Sequence, residues 1–267
     1  MLTLISHIFN ESTLLPYWLK HHVELFDEGI IVDYKSTDDS LDIVRELAPH
    51  WKIITSKNEY FDALLIDQEI MEIERRISSW KMVLNTTEFL LKKNLKEYIQ
   101  SFDNSYGKIM GGIRTNGVIM VDSKEEKDMP LSPESLIFQK HFGFFETEKV
   151  PIVTRKNPYI TSGCKRQRLI HKYPDGKYGN GRHTTSRYNY FDCNLILLWF
   201  GLSPYDLNKK RRLQIFEKMS ERDKNNGKGI WTITNEEEFD HYYNCMLEYS
   251  GDLRFNLNYD EELKQFL

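Results

Sequence analysis

The sequence predicts an α/β protein: a mostly parallel central sheet flanked by helices, with a C-terminal helical extension. Two observations carry this. The first ninety residues alternate short β-rich runs with amphipathic stretches whose apolar residues recur at three- and four-residue steps, the pattern of strand–helix–strand units. Composition is that of an ordinary folded chain: of 267 residues, 40% are hydrophobic, 28% charged and 13% aromatic, enough to close a substantial core.

Leu2 to Phe9 reads as the first strand. Asn10-Glu11-Ser12 makes a turn, and from Thr13 the residues Leu14, Leu15, Trp18, Leu19, Val23 and Phe26 mark a helix, with Pro16 in its first turn, where a missing N–H costs little. His22 falls on the apolar face of that helix with Trp18 and Phe26 and reads as a packing residue; His21 points elsewhere. Gly29 to Asp33 is a second buried strand. Ser36-Thr37-Asp38-Asp39-Ser40 offers capping oxygens before a helix over Leu41 to Leu47, which Pro49 ends. Lys52 to Thr55 is the third strand and Trp80 to Leu84 the fourth. Between them lies the helix Ala63 to Ile77; Asp62, Asp67, Glu69, Glu72 and Glu74, at helical spacing, form mostly a solvated face, although Asp67 lies near enough the helix start to approach a donor pocket. Beyond residue 91 the pattern loosens. Lys108 to Val121 is strand-like, Pro133 to Phe145 reads as a helix, and 150–192 is irregular. Residues 207–224 and 235–249 read as two further helices, the second opened by Asn235-Glu236-Glu237-Glu238 at the positive end of its dipole.

Several function classes fall away. The three cysteines, Cys164, Cys193 and Cys245, are too far apart for a disulfide framework or a Cys-x-x-Cys site, which fits a reducing compartment and a cytoplasmic location. The N-terminus lacks a signal-peptide pattern, and the longest apolar run, Leu195 to Phe200, is too short to cross a bilayer, so no transmembrane segment is expected. A net charge of −4 disfavours nucleic acid as a partner. The glycine patterns of P-loop, dinucleotide-binding and α/β-hydrolase chemistry are missing.

In an open α/β sheet the ligand crevice lies outside the carboxyl ends of the strands. The residues there are Asn10-Glu11, Asp33, Ser56 to Asn58, and Asn85 to Glu88. Converging polar side chains of this kind suit the hydrogen-bonding edges of a base or ribose; each taken singly also reads as a helix cap or turn closure. A second feature is a cationic block. Arg155, Lys156, Lys165, Arg166, Arg168, Lys172, Lys177, Arg182 and Arg187, with His171 and His183, face one acidic residue, Asp175, and are interleaved with Tyr159, Tyr173, Tyr178, Gly176, Gly179 and Gly181. Such a loop can bring guanidinium groups onto phosphate oxygens, or be a solvated basic surface.

His7-Ile8-Phe9-Asn10-Glu11, the run Leu14-Leu15-Pro16-Tyr17-Trp18-Leu19-Lys20-His21-His22, Phe26-Asp27, Ile31-Val32-Asp33 and Ser36-Thr37-Asp38-Asp39-Ser40 together resemble the N-terminal signature of GT-A glycosyltransferases of the family 2-like and family 92 group. The resemblance is dense over residues 5–90 and weaker beyond. It implies the GT-A, nucleotide-diphospho-sugar transferase fold, with a catalytic domain over 1–206, divided into a nucleotide-binding half (1–90) and an acceptor half with the basic loop (91–206), and a helical extension over 207–267. It implies transfer of a sugar from a nucleotide-sugar donor to a glycan or other hydroxyl acceptor, with inversion. One departure matters. Where the family has Asp-x-Asp-Glu-Phe, this chain has Asn85-Thr86-Thr87-Glu88-Phe89, so an amide and a hydroxyl replace the carboxylates that hold a divalent ion. Mn²⁺ or Mg²⁺ would then fall to Glu88 and His183, or be dispensed with where the basic loop substitutes. Asn10, Glu11, Asp33, Asn85, Thr87 and Glu88 are assigned to the nucleotide sugar, with Lys165, Arg166 and His183 on its phosphates. The catalytic base is assigned to Asp122, with Glu134 as the alternative. Two competing readings remain: a nucleotide-sugar- or glycan-binding protein that has lost catalysis, and a nucleotidyltransferase, whose glycine-rich N-terminal signature is missing.

Overall fold

The structure, a computed structural model, describes residues 1–146, 151–152, 160–161, 166–226 and 236–267. Its first part follows the predicted order: β1 (Leu2–Ile8), α1 (Leu15–His22), β2 (Glu28–Asp33), α2 (Ser40–Leu47), β3 (Lys52–Thr55), α3 (Ala63–Glu74) and β4 (Trp80–Val83). These four strands are parallel, in the order β4-β1-β2-β3. Alternation along β1 explains the layers. Leu2, Leu4 and Ile8 pack with Leu15, Trp18, Leu19 and Val44 under α1 and α2, whereas Ile5 packs with Ile66, Ile70 and Ile73 of α3 on the opposite face. Trp18 is fully buried, and its indole N–H donates to the Glu88 carbonyl at 2.9 Å, joining α1 to the chain beyond β4.

The second half is β5 (Glu88–Leu91), α4 (Leu95–Tyr106), β6 (Gly112–Met120), α5 (Lys124–Asp128), β7 (Phe142–Phe145), the pair β8 (Pro151–Ile152) and β9 (Ile160–Thr161), β10 (Leu169–His171) and β11 (Tyr190–Trp199). It closes with α6 (Tyr205–Lys218), α7 (Glu221–Asn225), α8 (Glu236–Leu247), β12 (Gly251–Asp252) and α9 (Leu257–Lys264). The long strand β6 organises this half. β10 and then β7 pair antiparallel along one of its edges, and β11 runs parallel along the other, itself pairing with β5. β10 also pairs with β4, which joins both halves in one sheet.

Three expectations are corrected. Residues 133–145 are not a helix: a short 3-10 turn, Leu136–Phe138, is closed by the Gln139 side chain, which accepts from Ser132 N at 2.7 Å, and Phe142–Phe145 pairs with β6. The helix expected over 207–224 breaks after Lys218, because the chain there bonds to Phe61: Phe61 N donates to Lys218 O at 2.9 Å and Ser220 N to Phe61 O at 2.7 Å. Ser220 then caps α7. Finally, α3 does not present a solvated acidic face. Glu72 is exposed, but Asp62, Asp67, Glu69 and Glu74 are buried. Among the described residues no helix is long and apolar enough to cross a membrane.

Candidate functional site

A cleft of about 230 Å³ opens at the carboxyl ends of β1 and β4, where the sheet geometry leads one to look. His7, Glu11, Asn85 and Thr87 line it from the sheet side, Phe61 from the loop after β3, Arg166 and Trp199 from the second half, and Arg211, Arg212 and Ile215 from α6. Arg166 lies 3.8 Å from the centroid of Trp199, whose face stabilises the cation.

The polar contacts are built from pairs whose members lie far apart in sequence. Glu11, buried beneath the rim, receives Arg211 in a two-pronged bond, Nε to Oε2 at 2.6 Å and Nη2 to Oε1 at 2.5 Å; Arg211 also reaches Thr86 Oγ1 at 3.4 Å. Glu88, fully buried, receives Arg168 in the same manner, Nε to Oε2 at 2.9 Å and Nη2 to Oε1 at 2.6 Å. The remaining amino group of Arg168 donates to Gly181 O at 3.1 Å and to His183 Nδ1 at 2.9 Å. Burial lowers the pKa of Arg168, and the Glu88 charge opposes that shift.

Arg182 is the third such cation. Its Nη1 donates to Asp67 Oδ1 at 2.6 Å, and its Nη2 to Asn85 Oδ1 at 2.9 Å and His7 Nδ1 at 3.4 Å. Gly181 and Arg182 both adopt left-handed backbone angles, φ 72° and 62°. That is costly for an arginine, and the Gly181 N–H bond to Asp67 Oδ2 at 2.8 Å helps to hold the turn. Because Arg182 can only donate, Nδ1 of His7 accepts and its ring proton sits on Nε2. Burial, then the charges of Arg182, Arg211 and Arg168, hold the His7 pKa well below its usual value, so the ring is neutral.

The loop carrying Arg182 is clamped again further along α3. Glu74 accepts from Tyr178 Oη at 2.6 Å and Gly176 N at 2.8 Å and lies 3.1 Å from His171 Nε2; burial and the Glu74 charge raise the Tyr178 pKa well above its usual value. Glu69 takes Ser56 Oγ and Lys57 N, each at 2.7 Å, fixing the loop after β3. Asp175 pairs with Arg75 and Arg187 at 2.8 and 3.0 Å.

Of the residues expected at the site, the structure brings Glu11, Asn85, Thr87 and Arg166 to the cleft and stacks Glu88 and His183 behind it around Arg168. Asn10 and Asp33 close turns. Asn10, with φ 52°, accepts from Thr37 N at 2.8 Å, and the Asp33 carboxylate accepts from Lys35 N and Ser36 N at 3.1 and 3.0 Å. Lys165, like Arg155 and Lys156 of the basic block, lies outside the described residues. Asp122 is not brought to the cleft: it is buried, accepting from Ser203 Oγ and Tyr205 N at 2.5 and 2.7 Å, with Lys140 Nζ at 3.2 Å. Glu134 is exposed, before the 3-10 turn and away from the cleft lining. His21 does not point away from the core. Like His22 it is buried, and its Nε2 donates to Leu90 O at 2.9 Å.

The expected metal ligands do not fit an ion. Both Glu88 oxygens hold Arg168 and the Asn85 amide, and His183 Nδ1 faces the same guanidinium, so a cation already stands between them. Among the described residues no three His, Cys, Asp or Glu side chains are grouped so as to hold a metal.

No family model and no curated protein matches this chain. Among solved structures, it is similar to a mannosyltransferase from Pyrobaculum calidifontis in complex with GDP-Man and Mn²⁺, at 12% identity over 98% of this chain and 72% of that one, TM-score 0.44. It is similar to residues 1–349 of S. aureus TarS, at 13% identity over 96% and 73%, TM-score 0.40, and to HddC from Yersinia pseudotuberculosis, at 12% identity over 79% and 100%, TM-score 0.40. Likenesses of this degree carry no argument about function; the fold stands on its strand order and the site on its residues.

Proposed function

We propose that this chain is a glycosyltransferase that moves a sugar from a nucleotide-sugar donor to a hydroxyl acceptor, with inversion. The observation that carries this is the arginine-lined cleft at the carboxyl ends of the parallel strands. Arg166, Arg211 and Arg212 line it, which suits oxygens of a departing diphosphate, whose growing negative charge is what the transfer must stabilise. The neutral His7 presents an Nε2–H donor in the same lining, and Asn85 and Thr87 add uncharged polar groups. In an inverting displacement the acceptor oxygen attacks the anomeric carbon opposite the diphosphate, which leaves with the bonding pair while a base takes the hydroxyl proton.

One observation favours a second reading, a binding protein without catalysis. Glu11, the carboxylate lining the cleft, is engaged by a two-pronged arginine, and Asp122 and Glu134 are not there to act as base. A thermal-shift panel of nucleotide sugars, followed by a transfer assay, separates these. A donor present at about 100 times its dissociation constant adds about 2.7 kcal/mol to native stability and raises the melting temperature. Transfer with that donor establishes the enzyme; binding without turnover on any acceptor supports the binding protein. No shift with any nucleoside diphosphate sugar refutes both.

A further inference from the structure

The ring proton of His7 is placed by residues from four other parts of the chain. His7 shares a face of β1 with Ile5, the side that α3 covers. Tyr34, after β2, and Phe61, after β3, meet its ring in T-shaped contacts, with centroids at 6.1 and 5.7 Å. Arg182 Nη2 donates to Nδ1 at 3.4 Å, and Arg182 is itself held by Asp67 of α3 at 2.6 Å, so Nδ1 is committed as an acceptor and the proton stands on Nε2. Nε2 has no hydrogen-bond partner among the described residues, nor is it one of the buried polar atoms left without one, and His7 lines the cleft. The Nε2–H donor therefore opens into the cleft.

Arg211 adds a donor to the same lining. Its Nε and Nη2 are spent on Glu11, whereas Nη1 makes no bond to the described residues and is not enclosed. A second proton on His7 would sit on Nδ1, against the Arg182 donor. The carboxylates around the ring offer it no compensation, because Asp67 is held by Arg182, Glu11 by Arg211 and Glu88 by Arg168; the Tyr34 hydroxyl donates to Glu69 at 3.1 Å. Burial, and then the charges of Arg182, Arg211 and Arg168, act in the same sense and keep the ring neutral.

We propose that His7 is a ligand-contacting residue, donating from Nε2 to an anionic oxygen of the ligand's diphosphate beside Arg211, and that Arg182, braced by Asp67, is the positioning residue that fixes its ring. This rests on the reading of the ligand as a nucleotide diphosphate sugar. Arg182 acts through the imidazole and makes no contact with the ligand itself.

Histidine-selective ¹⁵N labelling of the full chain, with the His7 signals assigned from their loss in His7→Gln, reports which ring nitrogen carries the proton. In the native chain it is expected on Nε2 at every pH from 7.5 to 5.5. At pH 7.5 the Nε2 signal is expected to shift saturably with whichever of UDP, GDP and inorganic pyrophosphate binds. By isothermal titration His7→Leu is expected to weaken that probe about tenfold, since the lost bond goes to a charged group, and His7→Gln, whose amide can still donate, to stay within about threefold. Arg182→Met is expected to move part of the proton population to Nδ1, which has lost its donor; if that variant does not fold, the native spectra decide the question. A native ring proton on Nδ1, a ring that charges above pH 6, a probe that binds with the His7 signals unmoved, or His7→Leu affinity within twofold of native overturns the proposal alone. A folded Arg182→Met variant with the native proton position overturns the positioning role. Failure of all three probes to bind overturns the proposal together with the diphosphate reading.

Discussion

Arg168→Met tests the anchor beneath the cleft. The Glu88 carboxylate is fully buried and accepts four bonds, two from Arg168 at 2.9 and 2.6 Å and two from Asn85, N at 2.8 Å and Nδ2 at 3.3 Å. Removing the guanidinium leaves the carboxylate with the Asn85 bonds and no counter-charge in contact. With roughly 4 Å between charge centres and an effective dielectric near 20, the lost attraction is about 4 kcal/mol. That matches the roughly 3–5 kcal/mol that breaking one side of a buried pair costs. The Gly181 carbonyl also loses its Arg168 donor at 3.1 Å, for about 1 kcal/mol more. Urea unfolding at neutral pH, with the slope checked for two-state behaviour, measures the loss. A cycle with Glu88→Gln isolates the pair: the double variant should cost at least about 2 kcal/mol less than the two single losses combined. A loss below about 1 kcal/mol for Arg168→Met, or additive variants, would refute the claim that this pair anchors the basic loop to β5.

Stability should also fall in mild acid. Burial, the dominant cause, pushes His21 down to about 4 from 6.5 and holds His22 well below its usual value, and His22 Nε2 accepts from Leu90 N at 3.3 Å, which a protonated ring cannot do. The unfolded chain takes up these protons first, so stability is complete above about pH 6.5 and falls as pH drops towards 4, by about 3 kcal/mol from His21 alone; a flat urea-midpoint profile between pH 7.5 and 4.5 would contradict this. Glu74→Gln weakens the acceptor of Tyr178 Oη and Gly176 N and should cost about 1–3 kcal/mol while speeding hydrogen exchange across residues 172–187. Exchange unchanged there would mean that α3 does not hold the loop. Asp122→Asn should lower the melting temperature, because Lys140 loses its buried counter-charge, and leave donor binding intact. A turnover loss of about a hundredfold with unchanged stability would instead restore Asp122 as the catalytic base.

The parallel half was legible because its information is local: period-two and period-3.6 patterns, a proline in a first helical turn, and capping oxygens all act within a few residues. The site is made of the opposite kind of information. Arg211 meets Glu11 across 200 positions and Arg168 meets Glu88 across 80. In the run Lys209-Lys210-Arg211-Arg212 nothing local separates the two side chains that line the cleft from the exposed Lys210. One non-local signal was nevertheless present. Residues 62–74 contain five acids and no base, whereas residues 155–187 contain nine cations and one acid. An acidic helix that also carries Ile66, Ile70 and Ile73 has to turn an apolar side inward, which takes neighbouring carboxylates towards the protein, where they need counter-charges. The basic segment has the complementary excess, and the structure pairs the two through Asp67 with Arg182 and Glu74 with His171. The same complementarity accounts for an amide at position 85. Once α3 has drawn Arg182 to the strand ends, the residue facing it must accept from a guanidinium and donate to Glu88, and an amide does both.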